Sequence, residues 1–222
     1  MGFYRIVRVN GRVYELTDDN YIGSGDEGLS FRVEDKVIKL YNFFCMKYRL
    51  GPGSVDIMRE IPTNRILMPQ DKVFDVDGNF CGYTTKSIEF KGFDYDSFTI
   101  KNYLNELLEY EKEMELLTSN NIITADLSIL NMIPSNNILY SIDPGSYHFN
   151  EIDNSYAKKQ NDIELKKLFI QFLCYGLNNE FKEKYLYEIL DDGNRLYDNI
   201  IKNVETENET ITSYRIKLLN RR

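Results

Sequence analysis

Three glycines near the start of the chain have the spacing of a phosphate-binding loop. Gly23, Gly25 and Gly28 form a Gly-x-Gly-x-x-Gly pattern. Glycine has no Cβ, so backbone amides at these positions can approach phosphate oxygens closely and adopt positive φ at low cost. A dinucleotide-binding turn would run from the last glycine into a helix, but the residues that follow, "LSFRVEDKVIKLY", have β-strand character. The pattern therefore favours a hairpin that folds over phosphates, and an ordinary glycine-rich hairpin turn is the alternative.

Lys39 lies eleven residues after the last of these glycines, in the predicted strand "KVIKLY". Alternation along a strand places Val37, Lys39 and Tyr41 on one face. A lysine that points inward needs a counter-charge, and we predict Glu60 for this role, with Asp56 as the competing candidate. A lysine held by a carboxylate can bind phosphates as a fixed point charge. A solvated lysine on an edge strand is the alternative.

A second set of polar residues lies in the second half of the chain. Asp126 and Asn131 are five positions apart in "TADLSILN", in a predicted loop that follows a long amphipathic helix. Asp143 follows twelve positions after Asn131, in the run "YSIDPG". Asp and Asn are also favoured in turns and at helix caps, which is the alternative for this set. The joint spacing with the glycines and Lys39 is more specific than any of its parts.

Taken together, these features resemble the protein-kinase-like fold across about 120 residues. The chain has, in order, a glycine-rich hairpin, a strand lysine, a predicted helical glutamate, Asp-x4-Asn and Asp-x-Gly. It is similar to divergent, minimal kinases of the eukaryotic-like and aminoglycoside-phosphotransferase-like kinds. The resemblance implies an α+β, bilobal architecture. Residues 1–90 would form a β-rich N-lobe with an antiparallel sheet and a helix, and residues 91–222 a small helical C-lobe with the catalytic-loop hairpin.

The same resemblance implies an enzyme that binds ATP and Mg²⁺ and transfers the γ-phosphate to a hydroxyl group of a protein or small molecule. Asp126 would accept or orient the proton of that hydroxyl, and Lys39 would act with it at the phosphates. Asn131 and Asp143 would hold Mg²⁺, which prefers hard oxygen ligands. The residues that would bind the nucleotide are Gly23, Gly25, Gly28, Lys39 and Glu60.

The sequence departs from the kinase pattern at several positions. Thr124 and Ala125 replace the usual His-Arg before the catalytic aspartate, so activation through a phosphorylated loop is not expected. Ser128 replaces the lysine that protein kinases direct at the γ-phosphate, which removes a charge from the transition state. Pro144 replaces the phenylalanine after Asp143 and restricts the backbone there. Two alternatives to phosphotransfer follow: a nucleotide-binding or inactive pseudokinase that acts as a protein-interaction module, and nucleotidyl transfer at the same site.

The elements that must position these residues change in character near residue 95. Before it, short β-like runs alternate with turn signals, and Asp77-Gly78 predicts a hairpin turn. Between the strands, "GPGSVDIMREIPTNRIL" predicts a helix capped by Ser54. Pro62 must kink this helix, end it or begin a second short helix. The segment "SIEFKGFDYD" is the predicted junction with the helical half.

After residue 95, apolar residues recur at the spacing of a helix. One helix is predicted to end at Asn120-Asn121, and a second to begin at Asp162 in "NDIELKKLF". Asp162 is interpreted either as a helix N-terminal acid stabilised by the dipole or as an acceptor for the catalytic-loop backbone. Between the helices, "NMIPSNNILYSIDPG" predicts a hairpin. The apolar helical positions are Ile100, Tyr103, Leu104, Leu107, Leu108, Met114 and Leu117, and then Leu165, Leu168, Phe169, Phe172 and Leu173.

The composition favours a folded protein, with 222 residues of which 42% are apolar. The formal net charge is −8, and Lys and Arg are dispersed except near the C-terminus. We therefore expect no nucleic-acid partner. His148 is the only histidine, which argues against a Ser-His-Asp triad or a histidine metal site. The C-terminal basic residues, interpreted as a solvated helix end, are Arg215, Lys217, Arg221 and Arg222.

Apolar runs and cysteines bear on the cellular compartment. The most apolar run, "LFIQFLCYGL", is too short to span a bilayer, and no positive-then-apolar signal pattern opens the sequence. Cys45, Cys81 and Cys174 are odd in number and contain no CxxC pair, which favours reduced thiols. We expect a cytoplasmic protein without a membrane partner.

Overall fold

A computed structural model describes residues 4–25, 27–42, 49–89, 98–149, 153–174 and 208–220. Over these residues the chain is an α+β protein, as predicted, with one seven-stranded sheet, two small strand pairs and four α-helices. The large sheet contains β1 (Tyr4–Val9), β2 (Arg12–Thr17), β3 (Tyr21–Ser24), β4 (Gly28–Val33), β5 (Lys36–Tyr41), β6 (Lys72–Phe74) and β7 (Phe80–Lys86). The small pairs join β8 (Ile122–Ile123) to β11 (His148–Phe149), and β9 (Met132–Ser135) to β10 (Ile138–Ser141). The helices are α1 (Pro52–Met58), α2 (Ile100–Ser119), α3 (Asn154–Leu173) and α4 (Ile211–Asn220).

The large sheet is antiparallel and has the strand order β2-β1-β6-β7-β5-β4-β3. Its turns use residues that tolerate positive φ: Asn10 and Gly11, between β1 and β2, have φ of 50° and 79°. Gly78 has a φ of 84° in the turn between β6 and β7. Such turns match the twist of antiparallel strands. The predicted Asp77-Gly78 hairpin is confirmed.

Strand β5 carries different side chains on its two faces, as alternation requires. Ile38 and Leu40 belong to a buried apolar cluster within the sheet. Tyr41 belongs to the larger core that includes α1, α2 and α3, and Lys39 lines a cleft together with Val37. The predicted separation of these two faces is confirmed.

Helix α1 differs from its prediction at both ends. Its N-cap is Gly51, with a proline in the first turn and no side-chain hydrogen bond at the cap, so the predicted Ser54 cap is wrong. The helix ends at Met58, which is fully buried. Pro62 lies beyond this end, and Glu60 follows the helix instead of lying on it.

Helix α2 begins with a capping box and ends where the sequence predicts. The side chains of Thr99 and Asn102 hydrogen-bond each other's backbone N–H groups at its start. Asn120 caps its end, and Asn121 takes a left-handed φ of 57° directly afterwards. The predicted hairpin is present as β9 and β10, joined by two asparagines with positive φ.

Helix α3 begins earlier than predicted, at Asn154. Its N-cap is Asp153, whose side chain accepts a hydrogen bond from the first turn. Asp162 lies in the helix interior, so the predicted start at Asp162 is wrong, as is its interpretation as an N-terminal acid. The first turns are mostly polar and exposed, so the apolar periodicity of the sequence is clear only from Leu165 onward.

Aromatic side chains fill the core between α2 and α3. Tyr103 and Tyr110 each meet Phe169 edge to face, with ring centroids 5.4 and 5.3 Å apart. The Tyr103 hydroxyl donates to the Phe169 carbonyl at 2.8 Å, and the Tyr110 hydroxyl to the Leu139 carbonyl at 3.2 Å. These contacts fix the two helices against each other and against the β9–β10 hairpin.

Residues 64–66 join the sheet region to α2 through buried carboxylates. Glu113 on α2 is 8% exposed and accepts hydrogen bonds at 2.7 to 3.0 Å from the backbone N–H groups of all three residues. The Arg65 side chain pairs with Glu106 at 2.9 Å. The Ser141 amide donates to the Arg65 carbonyl at 2.7 Å, so the same segment supports the end of β10.

Helix α4 lies against the end of α3. Arg215 donates from Nε to the Leu173 carbonyl at 2.7 Å and from Nη2 to the Phe172 carbonyl. Carbonyls in the last turn of a helix lack partners within it, so the guanidinium caps α3. The prediction of a solvated basic cluster is therefore wrong at Arg215, and Arg221 and Arg222 lie outside the described residues.

Cys81 on β7 and Cys174 after α3 are present as thiols, and burial raises the pKa of Cys81 to about 11. Cys45 lies outside the described residues, as does the predicted junction beyond residue 89. Within the described ranges, no helix is long and apolar enough to cross a membrane.

Candidate functional site

Lys39 lies at the centre of a cluster of opposite charges. Its Nζ donates to Oε2 of Glu27 at 3.0 Å and to Oδ1 of Asp143. Lys39 is only 7% exposed. One carboxylate comes from the glycine-rich loop and the other from the segment after β10, so the structure brings the predicted Lys39 and Asp143 into one site.

The structure corrects the predicted counter-charge of this lysine. Glu60 is exposed, and its Oε1 accepts from Nε of Arg59 at 2.9 Å. Asp56, the competing candidate, pairs with Lys72 on β6 at 2.8 Å. Both carboxylates are therefore paired with cations other than Lys39, and Glu60 follows α1 instead of lying on it. The counter-charge comes from Glu27 instead.

Burial and neighbouring carboxylates act in opposite directions on Lys39. Burial lowers the pKa of Lys39 below its usual value, and the charges of Glu27 and Asp126 only partly offset this effect. An enclosed amine remains charged only when anions surround it, which suits a group that binds an anionic ligand.

Tyr83 on β7 lies beside Lys39 in the sheet and supports Asp143. Its hydroxyl donates to Oδ1 of Asp143 at 3.4 Å. Burial raises the pKa of Tyr83 well above its usual range, so the hydroxyl stays protonated and remains a donor. Both described hydrogen bonds to the Asp143 side chain use Oδ1, which leaves Oδ2 for other partners.

The loop after β8 brings Asp126 and Asn131 into contact. Nδ2 of Asn131 donates to the backbone oxygen of Asp126 at 3.0 Å and to its Oδ2 at 3.1 Å. The 3-10 turn Ile129–Asn131 closes the five-residue spacing. Since the amide nitrogen is used inside the loop, Oδ1 of Asn131 is left as an acceptor or metal ligand. Asp126 itself is exposed.

Both aspartates have left-handed backbone conformations. The φ angle is 58° at Asp126 and 70° at Asp143. Residues other than glycine seldom adopt this region, and Pro144 after Asp143 further disfavours helical backbone there. Asp and Asn adopt this region more readily than other residues, as Asn10 and Asn121 do in the turns after β1 and α2.

Hydrogen bonds hold the loop and the Asp143 segment together. The Ile142 amide donates to the Asn131 carbonyl at 2.8 Å. Because Asp143 is the next residue, this bond holds its backbone close to Asn131. Oγ of Ser146 donates to the Ala125 carbonyl at 2.7 Å, directly before the loop aspartate. The three predicted polar residues of the second half therefore share one hydrogen-bonded frame.

Asn161 on α3 anchors the start of this loop, and the sequence analysis missed it. It is 1% exposed, and its Oδ1 accepts from the Thr124 amide and hydroxyl at 2.8 and 3.1 Å. Its Nδ2 donates to the Ile122 carbonyl at 2.8 Å. Asp162 was one candidate to accept hydrogen bonds from the loop backbone. The structure shows that Asn161 has this role instead. A signal was available, because Asn161 precedes the apolar Leu165 by one helical turn.

The charged cluster lines a cleft that is open to solvent and has a cavity volume of about 100 Å³. Lys39 and Asp143 lie in this lining beside Tyr83. A small number of charged groups among apolar walls is typical of sites that bind a cofactor or nucleotide. The apolar side chains in the lining are Ile22, Val37, Ile88, Ile133, Ile142 and Pro144.

The three predicted glycines lie in different surroundings. Gly28 begins β4 next to β5, where a Cβ would collide with the carbonyl of Leu40. Gly23 and Gly25 have open space, with no atom within 4 Å of a Cβ placed at either position. Gly28 is therefore needed for strand packing, and the other two leave room for an approaching ligand.

Replacing Gly28 with alanine is expected to lower the free energy of unfolding by about 2 kcal/mol, because the added methyl group must push β4 and β5 apart. Gly25→Ala, its matched control in the same loop, should change that free energy by less than about 1 kcal/mol. Urea unfolding monitored by circular dichroism measures both values. Equal destabilisation by the two variants would contradict the packing role of Gly28.

Comparison of the chain with protein-family models and with curated proteins found no match. A functional assignment therefore depends on the geometry of the site. That geometry combines a buried lysine, carboxylates on both sides of it, a loop aspartate held by an asparagine, and an apolar cleft.

Proposed function

We propose that this protein is an ATP- and Mg²⁺-dependent phosphotransferase that transfers the γ-phosphate to a hydroxyl group of a protein or small molecule. The observation that carries the proposal is the ion pair of Lys39 and Asp143 within one cleft. Phosphoryl transfer is catalysed mainly by positioning and charge, and it requires a cation at the phosphates and a carboxylate for the metal. These two residues have the required chemistry.

We also propose a bilobal, protein-kinase-like arrangement, with residues 1–90 as the N-lobe and 91–222 as the C-lobe. In support, all described strands of the large sheet precede residue 90, and α2, α3 and α4 follow it. The nucleotide would lie between the sheet and the loop after β8. Its base would contact the apolar lining of the cleft, and its phosphates would lie near Lys39.

The side-chain donors suit Mg²⁺ as well. Asp143 uses Oδ1 for Lys39 and Tyr83, and Asn131 uses Nδ2 for Asp126. Oδ2 of Asp143 and Oδ1 of Asn131 would therefore hold the ion, which takes one or two protein oxygens together with waters and phosphates. When bound, Mg²⁺ would neutralise charge on the transferring phosphoryl group.

Asp126 would orient the acceptor hydroxyl and take its proton. Its carboxylate is exposed, so an acceptor can reach it, and Asn131 holds one of its oxygens at 3.1 Å. A fixed carboxylate beside a reacting hydroxyl is the arrangement that general-base catalysis needs. Because Ser128 supplies no positive charge, stabilisation of the transferred phosphoryl group would depend on Lys39 and the metal.

ATP with Mg²⁺ is expected to raise the Tm of the wild-type protein by roughly 5 °C or more at about 100 times its Kd, because ligands that bind only the folded state stabilise it. Lys39→Met and Asp143→Asn should each remove most of this rise. Differential scanning fluorimetry with and without Mg²⁺ measures it. Lys36→Met is the matched control, since Lys36 lies on the same strand but pairs with Asp71 at 2.6 Å.

Labelled nucleotides then separate the candidate activities. Transfer of label from γ-labelled ATP to protein, water or an added acceptor supports phosphotransfer. Transfer only from α-labelled ATP would indicate nucleotidyl transfer, and binding without any transfer would indicate a pseudokinase-like module. A wild-type protein with no response to ATP at any Mg²⁺ concentration would contradict both transfer activities and leave only an inactive module that binds no nucleotide.

A further inference from the structure

Glu27 occupies a fixed position at the base of the glycine-rich loop. Its carbonyl accepts a hydrogen bond from the Asn42 amide at 2.8 Å, just after β5 ends. The next residue, Gly28, is packed directly against the carbonyl of Leu40. The backbone of Glu27 is therefore tied to the same strand that carries Lys39.

The Glu27 side chain is also enclosed. Its Oε2 lies 3.0 Å from Nζ of Lys39, and the side chain is 20% exposed. On its other side it approaches Gly145 so closely that a Cβ on Gly145 would collide with the same Oε2. The absence of a side chain at Gly145, in the Asp-x-Gly motif, thus provides the space for this carboxylate.

The charges of the site give Glu27 a specific task. Lys39 contacts two carboxylates, Glu27 and Asp143. In the proposed function Asp143 also binds the metal, so it cannot serve as the dedicated partner of the lysine. Glu27 carries no other described ion pair and is left to hold the ammonium group in place.

We propose that Glu27 is the positioning residue for Lys39. The glycine-rich loop then supplies the counter-charge that the sequence analysis expected from Glu60 on a helix. This inference rests on the proposed function. Because Glu27 is tied to β5, the strand that carries Lys39, the base of the glycine-rich loop holds the lysine side chain toward the cleft.

Glu27 could instead compete with the phosphates for Lys39, and this role predicts the opposite change in nucleotide affinity. A carboxylate beside Lys39 could compete with phosphate oxygens for the ammonium group, in which case removing its charge would tighten nucleotide binding. A positioning residue gives weaker binding on the same substitution, because Lys39 loses its orientation and part of its charge compensation. The sign of the change therefore decides between the two roles.

Isothermal titration calorimetry with ATP, ADP and adenosine, in the presence of Mg²⁺, tests the proposal on the full chain. For Glu27→Gln we expect ATP and ADP to bind about tenfold more weakly, with adenosine binding unchanged, because Lys39 contacts only phosphates. Glu27→Asp keeps the charge and should lose less. Glu60→Gln is the matched control and should bind all three ligands like the wild type.

A double variant separates positioning from general damage. In a Lys39→Met background, adding Glu27→Gln should weaken ATP binding no further, since the residue that Glu27 positions is gone. Additive losses, equal losses for adenosine, or tighter ATP binding by Glu27→Gln would each overturn the proposal. If the wild type bound none of the ligands, the proposed function would fail first; if it bound ATP normally and Glu27→Gln matched it, only the role of Glu27 would fail.

Discussion

Replacing Asp126 with asparagine is expected to reduce transfer from γ-labelled ATP by roughly 10²- to 10⁴-fold, the usual contribution of a general base. The amide keeps the shape of the carboxylate but cannot take the acceptor proton. ATP binding should change little, because the phosphates are held by Lys39 and the metal ligands. Transfer to water or to the chain itself provides the readout while the natural acceptor is being identified.

Asp19→Asn is the matched control for this experiment. Asp19 is exposed and lies between β2 and β3, away from the cleft. It should transfer phosphate at the wild-type rate. If Asp126→Asn kept wild-type transfer, Asp126 would have no role in proton transfer, and the kinase-like assignment of the loop would be contradicted.

Replacing Glu113 with glutamine is expected to lower the free energy of unfolding by about 3 kcal/mol. The carboxylate is 8% exposed and accepts from three successive backbone N–H groups, at residues 64–66. An amide nitrogen in place of one oxygen cannot accept, so the backbone N–H group of Asn64 or of Ile66 loses its partner. Chemical unfolding in urea measures the change.

Glu113→Gln should also affect nucleotide binding at the candidate site. Arg65 and Leu67 hydrogen-bond with Ser141, two residues before Asp143, so loosening this segment should weaken Mg²⁺-ATP binding together with stability. Glu115→Gln, on the exposed face of the same helix, should alter the free energy of unfolding by less than about 0.5 kcal/mol. Equal effects from the two variants would show that the buried hydrogen bonds contribute little.

Elements with strong periodicity or distinctive turn residues were predictable from the sequence. The apolar spacing and the terminal asparagines of α2 gave its end, and Asp77-Gly78 gave a hairpin. Alternation also placed Ile38 and Leu40 on the face opposite Lys39. In each case one local rule, helical period or turn chemistry, determined the outcome.

Element ends that depend on tertiary context were not predictable in this way. Helix α3 begins with polar turns that the apolar pattern does not reveal, and its cap, Asp153, lies well before the predicted start at Asp162. Helix α1 begins after Gly51 and not after Ser54, because Pro52 has a φ that suits the first helical position and has no N–H group that needs a partner. The basic Arg215 turned inward, since the end of α3 offers carbonyls without partners.

The site itself was predictable in part. The spacing of Lys39, Asp126, Asn131 and Asp143 identified residues that the structure links by hydrogen bonds or charge. The counter-charge was assigned to Glu60 because a glutamate on a helix has the expected position in kinases. Sequence order alone could not show that α1 ends too early, or that Gly145 leaves room for the Glu27 carboxylate.

A crystal structure with Mg²⁺ and a non-hydrolysable ATP analogue tests the central claim most directly. We predict phosphate oxygens at about 3 Å from Nζ of Lys39, with the ion bound by Asp143 and Asn131 and the base against the apolar lining of the cleft. An analogue bound outside this cleft, or a metal ion bound without Asp143, would contradict the account.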